Sequence, residues 1–188
     1  MPRLQDKLKA PTLPLSVVAR PRLNDHFTLN DHVRLLVLEA PSGYGKTTLL
    51  AERLPALEQD AAWLRLDPFD NQPARFLDYW QAALNMLLGE SGPLSAMADN
   101  TDNIDSIMQL EGWLGELPAQ RSPCRLVVDE FEHLDHPDIL AGIAHWLRHQ
   151  PPWLTLTLAS RSLWRGGATH PRSLGQHQRQ RRRSLAKC

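Results

Sequence analysis

The chain has 188 residues, 42% of them hydrophobic and 22% charged, the length and balance of a globular domain rather than a wholly disordered chain. Its net charge of zero hides an asymmetry: residues 1–160 carry 13 Lys+Arg against 21 Asp+Glu, and residues 161–188 carry 8 Lys+Arg with no acidic side chain. No stretch reaches the ~20 consecutive apolar residues of a membrane-spanning helix, the start lacks the apolar centre of a secretory signal, and Cys124 and Cys188 make no disulfide framework. The expectation is a cytoplasmic protein with no membrane partner.

Residues 1–24 are spaced by Pro2, Pro11, Pro14 and Pro21 and predict an extended arm lying over a domain. Arg34 to Ala40 is a short apolar run that ends at Pro41-Ser42-Gly43, a strand and then a turn. Lys46 to about Leu54 predicts a helix with Leu49, Leu50 and Leu54 on adjoining turns, ended by Pro55. Ala61–Leu66 is a second strand, stopped at Asp67-Pro68. Pro73 suits the first turn of a helix that continues through Phe76, Leu77, Trp80, Ala83, Leu84 and Leu87.

After a polar stretch from Gly89 to Asn103, the spacing predicts a helix over about Ile104–Leu117, with Ile107, Met108, Leu110, Trp113 and Leu114 facing inward. Arg125–Asp129 is a third strand, Pro137–His149 a helix, and Trp153–Ala159 a fourth strand. Strands alternating with helices predict an α/β fold with a mainly parallel sheet. Beyond Trp164 the pattern stops, and Gln178-Arg-Gln-Arg-Arg-Arg183 lies in a tail too polar to offset its ordering entropy. The division expected is an arm (1–24), a nucleotide-binding domain (25–164) and a basic, disordered tail (165–188).

Ala40-Pro41-Ser42-Gly43-Tyr44-Gly45-Lys46-Thr47 has the form of a phosphate-binding loop between a strand and a helix, with Ala40 where the pattern has glycine. Gly43 and Gly45 can adopt positive φ and turn successive backbone N–H groups toward phosphate oxygens. The helix that begins at Lys46 and continues with Thr47 and Thr48 adds the positive end of its dipole. Lys46 supplies a point charge for the β- and γ-phosphates, and the Thr47 hydroxyl a ligand for Mg²⁺. Asp129, ending a buried strand, suits the Mg²⁺ side of such a site, and Glu130 is a candidate catalytic base that orients or deprotonates a water.

Arg161 lies just past the fourth strand, at the strand end where ligands of open α/β sheets bind. By position it is equally a γ-phosphate sensor or the first residue of the basic tail. His145 and His149 have i,i+4 metal spacing but read better as a solvent-facing pair. His133 and His136 read as loop residues, and Cys124 as a buried one. Asp67 and Asp70 read as caps for the following helix.

Lys7-Leu-Lys-Ala-Pro11, Val17-Val-Ala-Arg20-Pro-Arg-Leu23, the loop Ala40–Thr47, Leu66-Asp-Pro-Phe-Asp-Asn-Gln72, Leu126-Val-Val-Asp-Glu130 and Leu158-Ala-Ser-Arg161 together resemble, in order, the start of the large ATP-dependent LuxR-type transcription regulators. These are the MalT-like members of the STAND class of P-loop NTPases. The resemblance covers about residues 7–164. It implies a P-loop three-layer sandwich with strand order 5-1-4-3-2, and a signalling module that exchanges ADP for ATP with Mg²⁺ and turns ATP over slowly at most. It also implies self-association after exchange, Val18 and Arg20 near the adenine, Asp129 on the Mg²⁺ side, and Arg161 as a sensor.

Such regulators continue with a fifth strand, further helical domains and a helix-turn-helix that binds DNA. The basic ending here departs from them. The expectation is a sheet incomplete at its C-terminal end, with residues from about 165 outside family sequence through a frameshift or early end, and specific DNA binding only through domains absent here. Two other readings stand beside it: a non-enzymatic fragment pairing with itself or full-length relatives through an open sheet edge, and a small NTPase whose basic tail binds nucleic acid through phosphates.

Overall fold

A computed structural model describes residues 4–13, 33–54, 60–89, 94–95 and 106–162. In chain order these form α1 (Leu4–Lys7), β1 (Leu35–Glu39), α2 (Lys46–Arg53), β2 (Asp60–Arg65), a 3₁₀ turn (Pro68–Asp70), α3 (Pro73–Leu88), α4 (Ser106–Glu116), β3 (Cys124–Asp129), a second 3₁₀ turn (Phe131–His133), α5 (Pro137–His149) and β4 (Leu154–Ser160). The four strands make one sheet in the order β1-β4-β3-β2, every pair parallel. That is the sheet the alternating pattern predicts, and its order agrees with 1-4-3-2 within the expected series. Among the described residues no helix is long and apolar enough to cross a membrane.

Helices cover both faces, giving three layers. On one face α2 sets Leu49, Leu50, Ala51 and Leu54 against Trp63, Val127 and Ala159. On the other, α3, α4 and α5 build the larger core, where Trp80 stands edge-on to Trp146 (5.6 Å) and tilted to Phe76 (5.3 Å). Every residue of β3 and β4 is buried, whereas β1, at one edge, is only half-buried. This is the burial expected of central and outer strands in a parallel sheet. Arg125 is nonetheless buried inside β3 and approaches the Thr157 hydroxyl (3.5 Å); burial draws its pKa down to about 10.

The ends of β1 and α5 hold each other: Arg34 donates through Nη2 to the Gln150 carbonyl, and Gln150 Nε2 donates to the Arg34 carbonyl at 2.8 Å. Helix α5 crosses α4 closely at Gly142, where a Cβ would come within 2.9 Å of Leu110 Cδ1.

Three expectations need correction. Ile107 and Met108 of α4 face outward, Met108 being 70% exposed, while Ser106, Leu110 and Trp113 are buried. At 100° per residue those three lie within about 60° of arc, so the helix buries one stripe and Met108 falls on the far side. Near the N-terminus, Leu4–Lys7 form a helical turn rather than an extended run, and Leu8 is buried in the larger core. Asp67 and Asp70 cap the 3₁₀ turn instead of α3: Asp67 Oδ1 accepts from Phe69 N, and Asp70 Oδ2 accepts from Asp67 N, both at 2.8 Å. Residues 14–32, Pro55 and residues 163–188, with the expectations placed on them, lie outside the described residues.

Candidate functional site

Parallel strands bring four loops to one end of the sheet. At the end of β1 the Ala40 N–H donates to the Ser160 carbonyl of β4 (3.2 Å), tying the start of the Ala40–Thr47 loop to the neighbouring strand. Pro41, Ser42, Gly43 and Tyr44 are exposed, and the loop turns at Gly43 (φ 81°) and Gly45 (φ 75°) before α2 begins. Glu130 is the one non-glycine residue with positive φ among the described residues. Ala40 therefore needs no glycine's freedom, which accounts for that departure from the motif.

Gly45 caps α2 through its backbone, with Leu49 N–H donating to its carbonyl at 2.9 Å. The helix start presents Lys46, Thr47 and Thr48, all half-buried. Lys46 Nζ lies back over the loop, donating to the carbonyls of Ala40 (2.6 Å) and Pro41 (3.2 Å). Thr47 points the other way: its hydroxyl donates to Asp129 Oδ2 at 2.8 Å, across 82 residues of sequence.

Asp129 is 1% exposed. Burial pushes its carboxyl above the ordinary aspartate value, against the hydrogen bonds from Thr47 and from Glu130 N–H (3.0 Å to Oδ1). Such a group gains from a cation. Thr47 and Asp129 offer only oxygen donors, a hard set suited to Mg²⁺ completed by phosphate oxygens and water. The residues fit the nucleotide and the ion that the loop implies.

Glu130 directly follows in a left-handed conformation (φ 58°), an uncommon backbone for such a residue. Its carboxylate pairs with Arg65 Nη2 (3.1 Å) at the end of β2 and lies 3.6 Å from His133 Nδ1. Arg161, after β4, is gripped by Glu132: Nε to Oε1 at 2.9 Å, and backbone N–H to Oε2 at 3.1 Å. The structure thus brings Ala40–Thr48, Asp129, Glu130 and Arg161 to one end of the sheet. Val18 and Arg20 lie outside the described residues.

The sequence reading missed Arg65 and Glu132. Their only signals were a charge closing an apolar strand and a second acid two residues beyond Glu130. Elsewhere, His145 and His149 stack at 4.3 Å with His149 Nδ1 on the His145 carbonyl (2.9 Å), and His136 caps α5. Among the described residues no group of three or more His, Cys, Asp or Glu is arranged to hold a metal.

No family model matches the chain. Of solved structures, PCH-2 of C. elegans is similar at TM-score 0.37 and 16% identity, over 78% of this chain and 35% of that one, a likeness too loose to bear on the site. Relatives in sequence are nearer. The HTH-type transcriptional regulator MalT of Serratia proteamaculans is 35% identical over 161 residues, and those of Cronobacter sakazakii and Klebsiella pneumoniae are 34% and 33% identical over the same length. Each match takes in 85% of this chain but 18% of the relative, so the chain spans about a fifth of the length of the curated proteins it matches. Over those 161 residues the chain is MalT-like, a homologue of the HTH-type transcriptional regulators of that name.

Proposed function

We propose that this chain is the nucleotide-binding module of a cytoplasmic, MalT-like regulator of the LuxR-type, STAND class, taking ATP and ADP with Mg²⁺. One observation supports it above the rest: the Thr47 hydroxyl on the buried Asp129 carboxylate, which joins the phosphate loop to the end of β3 where a metal–phosphate group would sit. Bound Mg²⁺ would neutralise phosphate charge at those two oxygens. The backbone N–H groups turned by Gly43 and Gly45, with the start of α2, would hold the phosphates. Lys46 would exchange its two carbonyl partners for phosphate oxygens, a charge-assisted bond of greater strength.

Glu130 remains the candidate base of a slow hydrolysis. Its pairing with Arg65 and His133 would hold its carboxylate away from water, in keeping with a switch that retains nucleotide. Self-association after exchange of ADP for ATP belongs to the same reading.

The test is thermal unfolding with ATP·Mg²⁺. A ligand at 100 times its dissociation constant stabilises by about 2.7 kcal/mol, several degrees for a domain of this size. The expected result is a rise in melting temperature that Lys46→Ala removes. A folded protein with no shift would overturn the reading.

A further inference from the structure

Among the described residues Glu132 has a single ion-pair partner, and it is the arginine placed beside the phosphate loop. Its carboxylate meets Arg161 at two points, Nε at 2.9 Å and the backbone N–H at 3.1 Å. The Glu132 side chain is 15% exposed and that of Arg161 is 53% exposed. Arg161 follows Ser160, whose carbonyl takes the N–H of Ala40, so its guanidinium hangs from the strand next to the loop. Glu132 sits in the 3₁₀ turn three residues after Asp129.

A guanidinium is planar and rigid, so holding Nε along one edge fixes where the opposite edge points. That edge carries the Nη groups, which make no hydrogen bond among the described residues. The bond to the backbone N–H pins the root of the same side chain. A two-point grip of this kind goes beyond an exposed ion pair, which on its own is worth little. It also leaves free the fork of donors that matches phosphate bidentately. Arg65 contrasts with this, because Glu130 occupies one of its Nη groups (3.1 Å).

We propose that Glu132 is a positioning residue that aims Arg161 at the terminal phosphate of a bound nucleoside triphosphate and thereby sets a preference for ATP over ADP. The proposal rests on the nucleotide reading above.

The experiment is calorimetric titration of ATP and of ADP, each with Mg²⁺, into wild type, Glu132→Ala, Glu132→Gln, Arg161→Ala, Arg161→Lys and the double alanine variant. Glu132→Ala should weaken ATP about tenfold and leave ADP within about twofold, the loss expected for a charge-assisted contact made only to the third phosphate. Arg161→Ala should do the same, with the double variant no worse than either single one. Glu132→Gln, keeping one acceptor, should fall between. Arg161→Lys retains the charge and the backbone bond to Glu132, and should still lose the preference, since an ammonium has no second edge to aim.

Equal weakening of ATP and ADP by Glu132→Ala, or a preference that survives it while Arg161→Ala removes it, would overturn the proposal. If Glu132→Ala melts early without nucleotide, Glu132→Gln and Arg161→Lys decide the matter in its place. If Lys46→Ala weakens neither nucleotide, the nucleotide reading falls and this proposal with it. If Lys46→Ala abolishes binding while the Glu132 and Arg161 variants keep the wild-type ratio, only this proposal falls.

Discussion

Lys7 and Asp70, 63 residues apart, form an ion pair with almost no access to water: Lys7 is 3% exposed and Asp70 fully buried. The Lys7 ammonium also reaches Asp67 (2.7 Å) and lies 4.7 Å from the centre of the Tyr79 ring, while Arg75 Nε takes the other Asp70 oxygen at 2.9 Å. Removing one partner of a buried pair leaves a charge short of compensation. Lys7→Ala should therefore destabilise the fold by about 3 kcal/mol, read as a shift of the urea midpoint at unchanged slope. A change under about 0.5 kcal/mol, the size usual for surface substitutions, would mean that the first residues do not hold the turn after β2.

The same cluster predicts a pH dependence. Burial would raise the Asp67 carboxyl, but its hydrogen bonds to Lys7 and Phe69 N–H and the charges of Lys7 and Arg75 outweigh that and hold it below the ordinary value of 3.8. A depressed carboxylate contributes stability above its unfolded value and loses it as pH falls through its folded one. Melting temperature should drop on acidification below about pH 4, and less steeply in Lys7→Ala.

Asp129 carries the opposite sign. Its folded carboxyl releases its proton above 3.8, so the native state binds more protons there and stability falls as pH rises through that window. Asp129→Asn keeps an acceptor for Thr47 and removes the buried charge. It should melt no lower than wild type at neutral pH, and lose the stabilisation by ATP·Mg²⁺. Melting curves from pH 3 to 8 with and without nucleotide check both halves; a variant still stabilised by ATP·Mg²⁺ would remove Asp129 from the metal side.

The loop's glycines separate the motif as written from the motif as built. Gly45→Ala places a Cβ at φ 75° and should cost about 1 kcal/mol, along with nucleotide affinity. Ala40→Gly restores the letter of the pattern at a residue without positive φ. It should lower stability by about 0.5 kcal/mol through the unfolded chain, with no gain in ATP binding by titration.

Helix α4 can be tested for which side it buries. Leu110→Ala should cost about 2–5 kcal/mol, since Leu110 is fully buried, and Met108→Lys should stay within about 0.5 kcal/mol, since Met108 is 70% exposed. Chemical denaturation distinguishes them directly.

Where the sequence was legible, strong local physics made it so. The apolar runs of β3 and β4 and the proline-started helices α3 and α5 carry their own boundaries, and the glycine-rich turn with Lys46 and Thr47 announces its chemistry. Illegible were features made only by long-range contact. Lys7 reads as an ordinary polar residue until Asp67 and Asp70 surround it. Ile107 and Met108 read as core until the partner face of α5 decides the buried stripe. Glu132 and Arg65 gain meaning only once three adjacent strands put them at one end of the sheet.

Asn71 joins two loops that are 64 residues apart. Its side-chain oxygen accepts the N–H groups of Asp135 (3.0 Å) and His136 (2.9 Å), and its amide donates to the Asp135 carboxylate. The turn built on Asp67 and Asp70 is thus tied to the two residues that lead into α5. The turn so held is the one whose carboxylates bind Lys7. The loop end of this sheet is therefore tied together outside the strands as well as within them, from the segment that follows β3 to the turn that follows β2.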